Sequence, residues 1–301
     1  MSLDLEVIAN ELKRLQRDGI DRVFVEDRTL HQLNSAKERI EPSQSDEESN
    51  VDPCAIVTDR DDTRVPTQIK EGTAKLKSVQ FPKAPKIQLT RDDDTRAQMA
   101  SIGEMLNTDE VCLSQLKEAE KIVLGAGSTE ADILFCGEAP GVNEASSGEP
   151  FTGKAGDLLS KIIATMGLSR KSTYLTYVMK WRPLHNNSYG ERAPTVEEIA
   201  YCLPYLKAQL DIIQPKVIVA LGNAAARALT EDNLEQGFSD LRGTWSSYND
   251  IPLMITFQPS YLLRNNTLKT KRLAWEDMIQ VMEKCGLRVS EEQRTYFQSK
   301  I

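Results

Sequence analysis

From residue 131 onward, short runs of consecutive apolar residues alternate with stretches whose apolar positions recur every three or four residues. The runs are ADILFCG at 131–137, YLTYVMK at 174–180, KVIVALG at 216–222 and PLMITFQ at 252–258, all rich in β-branched or aromatic side chains. The segments 154–166, 196–213, 224–229 and 273–285 carry helical spacing. Strands that are apolar on both faces, separated by helices, predict a parallel sheet covered on each side. The expected fold class is therefore α/β: a three-layer αβα sandwich around a central four-stranded parallel sheet. It carries an N-terminal extension that is mostly helical and partly extended.

Ahead of this region the pattern weakens. Residues 3–17 set Leu5, Ile8, Leu12 and Leu15 on one face, an amphipathic helix. Residues 41–66 are polar and acidic, too poor in large apolar groups to offset their ordering entropy, and read as a linker. Residues 79–90 hold two prolines and read as extended. Helices are expected over 94–105 and 109–124, with Thr108 as an N-cap. The predicted organisation is a helical segment at 1–40, an acidic, Pro-containing linker or extended segment at 41–90, an α/β domain at 91–290 and a tail at 291–301.

Composition narrows the function classes. The 301 residues are 40% hydrophobic and 27% charged, as in a soluble globular chain. No run approaches the roughly 18 apolar residues of a membrane helix, so no membrane association is expected. The first residues, MSLDLEVIANELKRL, mix acids with apolar groups and do not resemble a secretory signal. The five cysteines, at 54, 112, 136, 202 and 285, form no C-x-x-C pair, which fits reduced thiols in a cytoplasm. His31 and His185 are the only histidines, too few for a His-rich metal centre. Both read as solvated surface residues. Net charge is −8, and residues 1–130 hold 26 acids against 18 bases while residues 131–301 hold 19 of each. The acidity thus belongs to the N-terminal part. Its extension could serve as an interaction arm for a protein partner, and the C-terminal part is left room for a basic patch at 264–272 (RNNTLKTKR).

In parallel sheets ligands bind beyond the carboxyl ends of the strands. The first such end, GEAPGVNEASSGEPFTGKAGDLL at 137–159, is glycine-rich and opens a helix near Gly153 and Lys154, whose free N–H groups suit a DNA phosphate. It holds two carboxylates, Glu138 and Glu144, placed to orient a water or balance positive charge. Phe151 follows a proline and suits a stacking platform. The phosphate-binding pattern G-x-x-x-x-G-K followed by Ser or Thr is absent. After the last strand, Gln258, Pro259 and Ser260 precede Leu262, Leu263, Arg264 and Lys269. The leucines read either as a wedge entering a duplex beside phosphate contacts or as an apolar cap on the next helix.

Together these blocks resemble the uracil-DNA glycosylase superfamily, nearest its family-four type, many of whose members carry an iron–sulfur cluster. The family's first motif, G-E-x-P-G-x-x-E-D-x-x-G-x-P-F-x-G-x-A-G-x-L-L, is matched by Gly137 to Gly141, Glu144, Gly148, Pro150-Phe151, Gly153, Ala155-Gly156 and Leu158-Leu159. Its middle block, N-x-x-K-C-R-P followed by P-T-x-E-E-I-x-x-C-x-P-Y-L, is matched at Lys180, Arg182-Pro183 and Pro194 to Leu206. Lys216 to Gly222 resembles the third strand, and Gln258 to Arg264 resembles the closing H-P-S-x-L-L-R motif.

Three departures bear on function. The cluster ligands are not retained: Cys112 is followed by Leu113-Ser114-Gln115 with no cysteine three residues on, Trp181 stands at another ligand position, and Cys202 alone keeps its place. With about four thiolates required, no cluster and no metal are expected, and Cys202 reads as a buried apolar residue. The Asn that reads the uracil edge is Tyr177, and the histidine that supports charge on the departing base is Gln258. The resemblance then implies a DNA glycosylase acting on a base flipped from the stack. The altered residues point to a modified or non-uracil pyrimidine, in repair or in defence against modified foreign DNA. The competing class is a catalytically weakened DNA-binding or lesion-sensing protein. The implied roles are Glu138, Glu144 and Gln258 in catalysis and Ala139, Phe151 and Tyr177 in the base pocket. Gly153, Lys154, Ser260, Leu262, Leu263, Arg264 and Lys269 would contact DNA.

Overall fold

Alternation along the strands sorts the core into two layers. In the run 133–136, Ile133 and Phe135 turn to one face of the sheet and Leu134 and Cys136 to the other, as the two-residue period of a strand requires. Val217 and Val219 oppose Ile218 and Ala220 in the same way. Because both faces are apolar, both must be covered, and helices cover them.

A computed structural model of the chain describes residues 81–87, 94–183, 192–230 and 237–298. The helix expected at 3–17, the linker at 41–66, Cys54 and both histidines lie outside the described residues. In chain order the elements begin with α1 (Thr95–Thr108), α2 (Glu110–Ser114), β1 (Ala126–Gly127), β2 (Ile133–Gly137), α3 (Val142–Ser147), α4 (Gly153–Thr165), β3 (Tyr174–Tyr177) and α5 (Val196–Ile213). They continue with β4 (Val217–Leu221), α6 (Asn223–Leu229), α7 (Phe238–Leu241), β5 (Trp245–Tyr248), β6 (Ile251–Thr256), α8 (Pro259–Arg264), α9 (Leu268–Lys284) and α10 (Glu291–Thr295).

The sheet order is β1-β3-β2-β4-β6-β5. The four central strands are parallel, and they are the four apolar runs of the sequence. Short antiparallel strands, β1 and β5, finish the edges. Residues of α1, α5 and α6 pack on one face of the sheet, and residues of α4 and α9 on the other. Among the described residues, no helix is long and apolar enough to cross a membrane.

Two sequence expectations need correction. The helix expected over 109–124 ends at Ser114, and its cap is Asp109, whose carboxylate accepts from the N–H groups of Val111 and Cys112. Beyond it, long-range hydrogen bonds outweigh helical propensity: Lys121 N–H donates to the Ala145 carbonyl and Val123 N–H to the Lys180 carbonyl. Residues 291–298, within the stretch read as a tail, instead dock on the domain. Gln293 donates to the Thr165 carbonyl, and the Trp275 indole donates to the Gln293 carbonyl.

Beneath α5 lies an aromatic cluster. Phe81 stacks on Trp181 with planes 2° apart, and Tyr201 tilts against both rings. The Tyr201 and Tyr205 hydroxyls donate to Asp109, at 2.9 and 2.6 Å from Oδ2. Burial works to raise the Asp109 pKa, but the hydrogen bonds from Tyr205, Tyr201 and the cap prevail and hold it below the usual carboxylate range. Trp181 is fully buried, and among the described residues its indole N–H has no hydrogen-bond partner, so its contacts there are packing contacts. Trp181→Ala is expected to lower unfolding stability in urea by about 3–5 kcal/mol. Trp181→Phe, which keeps a ring and removes the unpartnered N–H, should recover most of that loss.

Candidate active site

Parallel strands end together, so the loops after β2, β3 and β6 share one rim. They enclose a cavity of about 280 Å³, with Glu138, Ala139 and Phe151 on one side and Gln258, Ser260 and Arg264 on the other. Tyr177 forms part of its wall, and Arg182 and Arg192 also line it. Parallel pairing continues past the strand ends: Val178 N–H donates to the Gly137 carbonyl and Met179 N–H to the Glu138 carbonyl. This fixes the backbone that carries Glu138.

The backbone at Phe151 has φ of +52°, a left-handed conformation that side chains other than glycine rarely adopt. Three side chains hold it there. Phe151 N–H donates to the Tyr177 hydroxyl at 2.9 Å. Arg170 donates to the Pro150 carbonyl at 2.6 Å and to the Phe151 carbonyl at 3.2 Å. Glu144 accepts from Thr152 N–H through one oxygen and from Gly141 N–H through the other, at 3.0 and 3.1 Å. Gly156 is obligatory beneath this turn, because a Cβ there would lie 1.7 Å from the Phe151 carbonyl oxygen.

The clamp changes two roles read from the sequence. Glu144 is buried, and each of its oxygens takes a backbone N–H, so it staples the loop. Tyr177 lies against Phe151 with ring centroids 4.5 Å apart, and its hydroxyl is engaged by the loop. Burial, followed by the nearby Glu144 charge, raises its pKa above the usual tyrosine range, so the phenol stays neutral. Phe151 itself is only 6% exposed, yet it reaches the cavity wall.

Behind this wall sits a buried lysine. Lys180 donates to Gln209 Oε1 at 2.6 Å, to the Tyr177 carbonyl at 2.8 Å and to Thr176 at 2.9 Å. Gln209 in turn donates to the Leu124 carbonyl and to the Tyr174 hydroxyl. Burial pulls the Lys180 pKa down to about 8.

Across the cavity, α8 divides the predicted wedge. Leu262 is 8% exposed and faces a second cleft, lined also by Leu158, Ile162, Trp275 and Met278. It behaves as the apolar cap of the alternative reading, because α8 packs on α4 and Leu262 lines the cleft that α4 and α9 share. Leu263 stays 43% exposed. Lys154 and Lys269 are exposed in the first turns of α4 and α9, and neither lines the cavity. Gly153 opens α4 with φ of +67°, where a side chain would press on Asn143.

Among the described residues, the cysteines do not fit an iron–sulfur cluster. Cys112 and Cys202 are fully buried beside Trp181 and Tyr201. Burial raises both thiols, Cys202 to about 12, which opposes the thiolate form a cluster needs. Among the described residues, no group of three or more His, Cys, Asp or Glu could hold a metal ion. Sequence reasoning missed Arg170, since its contacts span 19 and 20 residues and leave no local signal. Arg182 was visible within the middle motif, whereas Arg192, two residues ahead of Pro194, was not singled out. They pair with Glu120 and Glu198 and reach the cavity as held cations.

Comparison with known proteins bears on the family. The family model described as the uracil DNA glycosylase superfamily matches residues 124–279. A type-4 uracil-DNA glycosylase of Thermotoga maritima is 39% identical over 160 residues, 52% of this chain and 79% of that protein. One from Archaeoglobus fulgidus is 47% identical over 111 residues, covering 37% of this chain and 53% of that one. A type-5 uracil-DNA glycosylase of Pyrobaculum aerophilum is 26% identical over 175 residues, 53% and 73% of the two chains.

Two measurements check the clamp and the lysine. Glu144→Ala strips two loop N–H groups of their acceptor and should lower stability by about 1–3 kcal/mol, whereas Glu144→Gln keeps one acceptor and should lose less. Denaturant midpoints equal to wild type in both variants would contradict the staple. For Lys180, the unfolded chain binds its proton up to the usual lysine range, while the folded chain releases it near pH 8. Stability owed to this group therefore rises with pH above about 8. Urea titrations should show wild type gaining on Lys180→Met across that interval.

Proposed function

Since the chain belongs to the uracil DNA glycosylase superfamily, we propose that it hydrolyses the N-glycosidic bond of a modified pyrimidine everted from DNA, as an iron-free, family-four-like member. The chain is a DNA glycosylase, a hydrolase of N-glycosyl bonds, and the base is the part that is proposed. The observation that carries the proposal is the shared cavity, with Glu138 and Phe151 on one wall and Gln258, Ser260 and Arg264 on the other.

The target nucleotide leaves the stack at a cost of a few kcal/mol. Phe151 would stack on its base while Ser260 and Arg264 hold the backbone. Lys154, Lys269 and the amides at Gly153 would meet neighbouring phosphates. Glu138 orients a water whose oxygen bonds to C1′ as the C1′–N bond breaks. The bonding pair leaves with the base, and the water's proton passes to the carboxylate. Gln258 and the backbone near Ala139 donate hydrogen bonds to the negative charge on the departing base. A neutral amide stabilises that charge less than a cation would, and losing one such donor typically costs about 10²–10³ in rate. A base that leaves more readily than uracil tolerates that loss.

Tyr177 supports the change of substrate. With its hydroxyl engaged by Phe151 N–H, it does not offer the paired donor and acceptor of an asparagine. The same engagement favours a second reading, a DNA-binding or lesion-sensing protein with weakened catalysis. The aromatic packing around Cys112 and Cys202 supports function without a cluster, and the free thiols suit a reducing cytoplasm. Roles for the N-terminal extension, residues 1–110, including recruitment of a protein partner, belong to the same proposal.

Single- and double-stranded oligonucleotides bearing uracil or modified pyrimidines, followed by alkaline cleavage at abasic sites, test these readings. Wild type should release a modified pyrimidine faster than uracil. Glu138→Ala should abolish release while binding to abasic DNA persists, and Tyr177→Asn should shift preference toward uracil. Robust uracil release at low enzyme would overturn the modified-base reading. Binding with no release of any base would favour the sensor.

A further inference from the structure

The short helix α8 points its side chains two ways. Leu262 turns inward, while Tyr261 is 39% exposed. Tyr261 lies between Ser260 and Arg264, both of which line the cavity, so it stands beside the cavity's rim. The ring is held in place. It stacks on Phe257 with centroids 5.1 Å apart and planes 8° apart. Phe257 meets the edge of Phe238 at 6.2 Å, and the Arg242 guanidinium lies 5.4 Å from its centroid. Arg242 donates to buried Asp277 at 2.7 Å, and Asp277 accepts from Thr256 at the end of β6 at 2.6 Å. A chain of contacts thus runs from the central sheet to a surface aromatic.

An aromatic ring fixed this way loses little further freedom when a ligand covers it. The residues that follow, Arg264 to Arg272, carry bases and no acid. Positive charge beside an exposed aromatic face suits one partner above others: a nucleobase on a phosphate backbone. Stacking of this kind tolerates every base, because each has a π-face.

From this arrangement we infer that Tyr261 is the stacking platform for the nucleobase adjacent to the everted nucleotide. The inference rests on reading the cavity as the pocket for an everted nucleotide. It assigns to Tyr261, held by the Arg242–Phe257 stack, the contact that the sequence assigned to Leu262 or Leu263.

The test uses the full chain and DNA carrying a tetrahydrofuran abasic analogue, with 2-aminopurine on one side of it and then on the other. It needs no knowledge of the excised base. Wild type and Tyr261→Phe should bind and quench 2-aminopurine on one side. Tyr261→Ala should bind about tenfold more weakly and leave the fluorescence bright. If Tyr261→Ala binds and quenches like wild type, or if only Leu263→Ala removes the quench, the platform is overturned and the pocket reading stands. If wild type does not bind abasic DNA, both fall.

Discussion

A left-handed turn at Phe151 organises the rest of the site. The conformation is unfavourable for a phenylalanine and persists only because the surroundings over-determine it. Tyr177 holds its N–H, Arg170 holds its carbonyl, and Glu144 holds the next N–H. These three come from β3, from the loop before β3 and from α3. The turn therefore joins pieces of chain that share no local sequence relation, and the glycine-rich loop becomes a rigid wall. Gly156 beneath it is fixed by space, since any side chain there would displace the Phe151 carbonyl.

The two sides of the cavity are built by different physics. On the Glu138 side, backbone polar groups meet side chains whose own polar atoms are used up in positioning, as in Glu144 and Tyr177. On the Gln258 side, aromatic and ionic contacts hand rigidity from Asp277 and Arg242 out to α8. Cations are abundant around the rim, but Arg182 and Arg192 are neutralised by Glu120 and Glu198. Arg264 and Lys269 stay exposed.

Much of the fold was legible because each central strand is apolar throughout and each long helix keeps its period. The four parallel strands, and the helices at 154–166, 196–213 and 273–285, appear within a few residues of their expected limits. The edge strands were not legible: Ala126–Gly127 is two residues long, and Trp245–Tyr248 is a polar, largely exposed segment. Residues 116–124 misled because their apolar positions serve long-range packing and hydrogen bonds rather than a helix face. In the site, the strand-end rule singled out Glu138, Phe151, Gln258, Ser260 and Arg264, and all five line one cavity. It could not tell that Leu262 turns inward or that Arg170 matters, since both depend on contacts between distant residues, whereas the Glu144 staple, to N–H groups three and eight residues away, is local and was passed over for a catalytic reading.

The stack of Phe81 on Trp181 also bears on where this domain can be cut. The family match begins at residue 124, yet Phe81 and Asp109 close the aromatic cluster under α5 from outside that span. A fragment trimmed to the matched region would leave Trp181, Tyr201 and Tyr205 uncovered, a sticky aromatic face that invites aggregation. The upstream segment is thus a built-in cork, and truncations meant to isolate the enzyme should begin before it.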